Sequence, residues 1–492
     1  MKRAVNGIER NVEEFTTSEY NMNETMKRLL SSAFYDGKLV DKYELLDNAY
    51  RATGGFETGE YLIPHPSEGD DKYNRRKNSA YFINYVKPVV DAFVNPIFKT
   101  EPIRESMSSL FGAFIKNVDG NNTTLTRFMK KAAIRAKLHG VEFIVVDMER
   151  VNENEIITEK EVIDNRLYPY LYLVSPSQIT NWATNKFGKL VSISYSLTNN
   201  VIDKDGNIKS ISEQWTWTET MCKKSISGKD EIFTNQLGII PIIPLYGAIN
   251  DSNNLIPQSD VYSIAKTNFA IYNACSELRE RNKAQAFSLL TYPFDQESYD
   301  TVDEPLRYGT ADCLLYDNGS SNRPEFITPP TDSSDIIQSE INFMIKEIYR
   351  MANLQTLNGQ SQYNISGVVK RYDNQNLYQS ITDLAQSLQD VENKIAIVFG
   401  KYMGEDLDSY SVAYNTEYGI LDTTEVLTNA TQSLVLGMTP EYNKEMRIQV
   451  AKATLDGINP EILSRIVEGL ANAPESGNAL EGEATVVQPR AT

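Results

Sequence analysis

The sequence predicts a mainly helical α+β protein, and three observations carry that prediction. Residues 372–403 contain no proline and place Leu377, Ile381, Leu384, Leu388, Val391, Ile395, Val398 and Tyr402 at alternating spacings of four and three, an a/d seam along one helix face. After Gly140 the apolar period changes from helical to alternating, as in Val141-Glu142-Phe143-Ile144-Val145-Val146. Beyond residue 423, Gly437, Pro440, Gly457 and Pro460 punctuate three further helical segments at 424–436, 440–455 and 460–471.

The 492 residues suffice for two to four domains and a sizeable core. An apolar content of 41% and a charged content of 23% fit a folded chain. The net charge of −18 argues against wholesale binding of nucleic acid on a basic surface. An acidic wall can still surround DNA if it is meant to repel phosphates. Cys222, Cys275 and Cys313 are odd in number and far apart, which points to a reducing compartment rather than a disulfide framework. The opening residues lack the apolar stretch of a secretory signal. The longest apolar run, 237–249, is broken by Gly238, Pro241 and Pro244 and is far short of a membrane span. With only His65 and His139, and no CxxC pair, a His-rich or zinc-type site is not expected. His139 precedes Gly140 at a predicted helix end, where a cation meets the negative end of the helix dipole.

Along the chain, residues 1–35 are polar and irregular in pattern, and 41–52 read as a short helix stopped by Gly54-Gly55. Residues 56–73 read as a loop. Residues 74–98 follow a helical pattern through Phe82, Val86, Val89, Val90, Phe93 and Ile97, with Pro88 and Pro96 expected to kink or break it. Residues 121–138 form a cleaner helix, with Asn122 and Thr123 as candidate caps. Its basic face, Lys130, Lys131, Arg135 and Lys137, suits solvent or an acidic neighbour. Strands are expected at 141–148, 167–174, 191–197 and 211–221, with a 175–178 turn and an Asp205-Gly206 hairpin signal. Residues 239–245, with two prolines, fit an edge strand.

A long helix over 260–285 follows, capped by Ser259-Asp260 and ending in Glu277, Arg279, Glu280, Arg281 and Lys283. Residues 288–330 hold short strand patterns between glycines and prolines. A second long helix spans 332–353, with Ser333 and Ser334 as candidate caps and a stripe through Ile337, Ile341, Met344, Ile345 and Ile348. Residues 355–371 (QTLNGQSQYNISGVVKR) contain no acidic residue and end in Lys370-Arg371, so they read as a flexible loop anchored to the seam helix. Residues 410–414 suit one more strand, and 474–492 are small, polar and acidic, as in disordered tails.

Catalytic signatures are missing. Gly228-Lys229 is not a phosphate-binding loop, because Lys223 stands where the upstream glycine belongs and Asp230 replaces Ser/Thr. No G-x-S-x-G elbow occurs. Carboxylate pairs arise by chance in so charged a chain and carry little signal. No cofactor is expected.

The order of segments resembles the portal, or head-to-tail connector, proteins of tailed bacteriophages of the siphophage type. Ser366-Gly367-Val368-Val369-Lys370 before a long helix resembles that family's tunnel-loop junction. Ile240-Pro241-Ile242-Ile243-Pro244-Leu245 leading to Ser259-Asp260 resembles its wing-to-stem passage, and Leu171-Tyr172-Leu173-Val174-Ser175-Pro176 a wing strand and turn. The resemblance covers about residues 40–470. It implies an N-terminal arm over 1–40, an α/β wing over 41–257 and stem helices at 258–285 and 332–354 around a β-rich clip at 286–331. A tunnel loop at 355–371, a long kinked wing helix and strand at 372–422, a helical crown at 423–473 and the tail at 474–492 complete it.

By the same resemblance the chain forms a ring, usually of twelve copies, at one capsid vertex of the virion after assembly in the host cytoplasm. The ring passes double-stranded DNA during packaging and ejection and does not itself hydrolyse ATP. It docks the terminase large subunit and meets capsid and scaffolding proteins and a head-tail adaptor, but no membrane. Asn358, Gln360, Gln362, Asn364, Lys370 and Arg371 are the expected channel-facing residues. Lys370 and Arg371 could equally pair with Asp373 or a neighbour. Arg279, Arg281 and Lys283 would form a second positive ring low in the stem, although cations at a helix C-terminus are favourable in any case. Two other readings stay open on the residues alone: a virion connector or scaffold protein without a DNA channel, and a soluble carboxylate hydrolase.

Overall fold

In a computed structural model the chain is described at residues 31–33, 39–65, 68–148, 158–202, 208–250, 254–286, 289–294, 314–317, 325–327, 332–354, 367–416, 418, 430, 432, 439–455 and 460–472. It divides into two compact units, Met1–Thr416 and Glu417–Thr492.

The first unit opens with an antiparallel pair, β1 (Ser31–Ala33) and β2 (Leu39–Asp41). Helix α1 (Lys42–Arg51) follows, burying Tyr43, Leu45, Leu46 and Ala49 at helical spacing. A single turn, α2 (Gly55–Thr58), and helix α3 (Asp70–Ser79) come next, then α4 (Val86–Val94). The helical pattern over 74–98, expected to kink or break at Pro88 and Pro96, is two helices, the second of which ends at Val94, just before Pro96. The break between them falls at 80–85 and is not caused by Pro88, the third residue of α4, where an N–H has no intrahelical partner to lose. The extended link is held by buried Asn268, whose Nδ2 donates to the Ile83 carbonyl at 2.9 Å while its Oδ1 accepts from the Tyr85 N–H at 3.0 Å.

Next come β3 (Ile103–Glu105), α5 (Ser109–Phe114) and α6 (Leu125–His139). Thr124, rather than Asn122 or Thr123, caps α6, accepting from the Arg127 N–H at 3.4 Å. Gly140 ends the helix at φ +93°. Strand β4 (Val141–Asp147) is buried over its first six residues. After helix α7 (Glu159–Asp164), β5 (Tyr170–Val174) pairs with one side of β4. A 3-10 turn, Pro176–Gln178, leads into a five-stranded antiparallel meander of β6 (Ile179–Thr184), β7 (Leu190–Ile202), β8 (Ile208–Thr218), β9 (Met221–Ile226) and β10 (Lys229–Thr234). Strands β6, β9 and β10 are additions to the sequence reading. Ser227-Gly228 is a two-residue hairpin turn, with φ of +50° and +79°, which is why Gly228-Lys229 has nothing to do with phosphate.

Strand β11 (Ile242–Tyr246) lies on the other side of β4, at the sheet edge where Pro244 is tolerated. The two sheets share one core, in which Val141, Phe143 and Val145 pack with Ile179, Ile193, Tyr195, Trp217 and Cys222.

Helix α8 (Val261–Ala286) begins beside this core, its start held by the Ser259 hydroxyl, which accepts from the Val261 N–H and donates to the Lys137 carbonyl. Strands β12 (Leu289–Phe294), β13 (Leu314–Asp317) and β14 (Glu325–Ile327) form a small sheet in the order β13-β12-β14. Helix α9 (Asp332–Met351) then packs along α8. Ser333 and Ser334 lie inside its first turn instead of capping it. Helix α10 (Gly367–Met403) and strand β15 (Ser411–Ala413), which pairs with β3, close the unit.

In the second unit, α11 (Pro440–Thr454) is capped by Thr439 and packs on α12 (Pro460–Asn472). The expected helix at 424–436 lies almost wholly outside the described residues, as does the 474–492 tail.

Candidate channel loop and the helix that carries it

Asn358, Gln360, Gln362 and Asn364 lie outside the described residues. The chain on either side is described. Leu354, just after α9, is buried, and α10 begins at Gly367. The helix therefore starts five residues before the expected position, and Lys370 and Arg371 belong to it instead of to the loop. Gly367, Val368 and Val369 are only modestly unfavourable in a helix, each by about 1 kcal/mol or less, so they do not stop a long helix from extending through them.

The seam is real. Ile381, Leu384, Leu388 and Ile395 are essentially without exposure, and Leu377, Val391 and Val398 are buried. Tyr402, the last seam position, is half-buried and its hydroxyl donates to the Val146 carbonyl at 3.3 Å. The helix packs on β4, β11, β15, α4 and α6, so its face is covered within its own unit.

Inside that face sits a charge. The Glu392 carboxylate is fully buried and accepts four hydrogen bonds. Arg104 Nε donates to Oε1 at 2.7 Å and a terminal Arg104 nitrogen to Oε2 at 3.2 Å. The Tyr410 and Tyr414 hydroxyls donate one each at 2.6 Å. Arg104 is on β3 and the tyrosines flank β15, so one carboxylate ties the helix to both strands of the small sheet. Burial alone would lower the Arg104 pKa, but the adjacent carboxylate outweighs it and raises it. Burial first, then the neighbouring Glu392 charge, pushes both tyrosines upward. Arg104 stays a cation and the phenols stay neutral donors. Sequence reasoning missed this knot because its partners are 288 positions apart; a lone Glu between Val391 and Ile395 was the only visible signal.

A second buried cluster surrounds His139. Its Nε2 faces Asp47 Oδ1 and its Nδ1 faces Glu142 Oε2, each at 3.3 Å. Glu142, also fully buried, accepts from Arg135 at 3.1 Å and from the Ser175 hydroxyl at 3.4 Å. Burial favours neutral imidazole, yet the two carboxylates prevail and raise the His139 pKa. His139 is the last residue of α6, as expected, and two carboxylates face its ring there.

At the far end of α8, Arg279 stacks over the Tyr81 ring at 5.4 Å and Lys283 contacts Glu280 and the Ser79 hydroxyl. Arg279, Arg281 and Lys283 are all exposed. Arg279 and Lys283 thus have partners within the chain, in keeping with a helix end leaning on the 79–81 segment.

Among the described residues no group of three or more His, Cys, Asp or Glu is placed to hold a metal ion, and no helix is long and apolar enough to cross a membrane. No protein-family model matches the chain, and no curated protein sequence matches it. Several solved structures show likeness to the chain at low similarity, among them the following three. One chain from the virion of a native gene transfer agent particle is 10% identical with a TM-score of 0.37, covering 87% of this chain and 98% of that one. One from the neck of an empty gene transfer agent particle is 11% identical with a TM-score of 0.40, covering 81% and 98%. An HK97-family phage portal protein from Corynebacterium diphtheriae is 9% identical with a TM-score of 0.32, covering 67% of this chain and 92% of its own.

Proposed function

We propose that the chain is a portal-type ring subunit through which double-stranded DNA passes during packaging and ejection. The observation that carries this reading is the order of elements. Two long packed helices, α8 and α9, enclose a small sheet, and an acid-free polar segment then leads straight into a 37-residue helix locked into the body.

Asn358, Gln360, Gln362 and Asn364 would offer amide groups that exchange with phosphate oxygens, and Lys370 and Arg371 a limited positive charge. Many cations would hold DNA tightly and with steep salt dependence. A few amides on an acidic chain favour sliding. Arg279, Arg281 and Lys283 would form the lower positive ring. The assembly would be a homo-oligomer at a capsid vertex, a platform for a packaging motor, the terminase, and for head-completion proteins. The fuel-burning step belongs to the motor.

Negative-stain images and native mass of the purified chain test the ring directly. A closed ring with a through-channel is expected, and a monomer at all concentrations would sink the reading. Replacing residues 358–364 with Gly/Ser should leave the ring intact while DNA packaging or retention fails; normal packaging would remove the loop's assigned role.

A further inference from the structure

One face of α6 carries Arg127, Lys130, Lys131 and Arg135, at spacings of three, one and four, which brings them to one side of the helix. With Asp47, Tyr50 and Arg51 of α1 they line a groove of about 360 Å³. Two of its charges are already engaged: Arg135 pairs with Glu142, and Asp47 faces His139. Arg51, Arg127, Lys130 and Lys131 make no ion pair among the described residues, and all but half-buried Lys130 are exposed. Such a concentration of unpaired cations is unusual on a chain of net charge −18.

The same unit carries the complementary surface on other elements. Helix α7 presents Glu159, Glu161 and Asp164, and residues 405–408 present Glu405, Asp406 and Asp408. The start of α5 joins them: the Ser108 hydroxyl donates to Glu405 at 2.7 Å and the Ser109 hydroxyl to Glu159. Helix α7 packs on α5, whereas α1 packs on α4, α6 and α8, so the two charge clusters are built by separate parts of the unit.

We infer that the α1–α6 groove receives the acidic α5–α7 ledge of a second copy of this chain. This rests on the ring reading above and names the contact between its subunits. Copies that each carry −18 repel one another, and close approach needs a local patch of opposite sign. Two different patches, used head to tail, leave one of each free on every pair, which is the geometry that continues into a ring. Duplex DNA is the less favoured occupant. Four unpaired cations on an acidic body make a short footprint against a phosphate ladder that the rest of the surface repels.

The test uses the full chain, with sedimentation velocity and native mass at about 50 and 500 mM salt, chosen to span strong and weak screening. Lys130→Glu with Lys131→Glu should lower the assembled fraction at least tenfold, as should Glu159→Lys with Glu161→Lys. All four changes in one chain should restore assembly. Neutral Lys130→Gln with Lys131→Gln gives a partial loss and guards against misfolding, which circular dichroism monitors. If both reversals assemble like the parent chain, the groove contact is wrong while the ring stands. If the reversals spare assembly but abolish binding to a short DNA duplex in a gel shift, the groove is a DNA site and the inference falls. A parent chain that is monomeric throughout overturns the ring and the contact together.

Discussion

At the scale of single residues, the largest energies attach to charges removed from water. Glu392 is held by four donors, and Arg104 is almost as deeply buried. Glu392→Gln leaves the guanidinium without its buried counter-charge, with only the exposed Glu101 carboxylate at 3.6 Å, a change that costs about 3–5 kcal/mol in buried pairs. Tyr414→Phe removes only one hydrogen bond to a charged group, about 1.5–3 kcal/mol. Urea unfolding of the first unit should rank the two variants in that order; equal losses would show that the carboxylate is not the centre of the knot.

His139 gives a signed pH dependence. Its folded pKa is raised, so its contribution to stability is complete below the ordinary value near 6.5 and disappears as pH rises through the higher folded value. Asp47 works in the opposite direction. Burial alone would raise its carboxyl, but the His139 hydrogen bond and the charges of His139, Arg51 and Arg135 together hold it below its usual value, so its contribution is lost as pH falls through that lowered value. The gap in urea midpoint between the parent chain and His139→Gln should therefore be wider at pH 5.5 than at pH 9. A gap independent of pH would mean the imidazole is neutral in the fold. Neither cluster was legible in the sequence. Helix-end placement marked His139, and Glu142 stands only three residues on across the Gly140 turn, but nothing in the order of residues brings Asp47 to it, because that link is made by the packing of α1 on α6.

At the scale of elements, pattern length decided what could be read. The α10 seam repeats over seven intervals, and the structure buries all its positions but the half-buried Tyr402. The edge strand β11 announced itself through its prolines. Short elements were harder. Strands β9 and β10 are six residues each with no clean alternation, and their turn, Ser227-Gly228, resembled a failed phosphate loop more than a hairpin. The break between α3 and α4 is supplied by Asn268 from a helix far along the chain, so no local residue signals it. The hairpin makes its own prediction. Gly228 has φ +79° and open space around a would-be Cβ, so Gly228→Ala should cost only the backbone term, about 1–2 kcal/mol. Ser227→Asn, which suits the left-handed conformation better, should restore part of that loss. Thermal melts of the two variants check both signs.

At the scale of the whole molecule, the division into two units was only partly visible. Proline and glycine marked the helices beyond residue 423, while the boundary itself falls at Thr416, just after the strand that pairs with β3. Asn358, Gln360, Gln362 and Asn364 lie outside the described residues, and Lys370 and Arg371 belong to α10 instead of to the loop. Composition set the electrostatic problem of the molecule, a strong negative charge; only folding showed that the cations of α1 and α6 gather in one groove.

The three tryptophans add an optical consequence. Trp182 lies on β6 and Trp215 and Trp217 on β8, so all the indole emission of the chain comes from the five-stranded meander. Trp215 and Trp217 are stacked, with ring centroids 6.5 Å apart and planes 10° from parallel, close enough for their excited states to couple. Fluorescence therefore watches one sheet, while far-ultraviolet ellipticity is dominated by the helices. Any separation between the two signals during heating would show the meander opening on its own schedule.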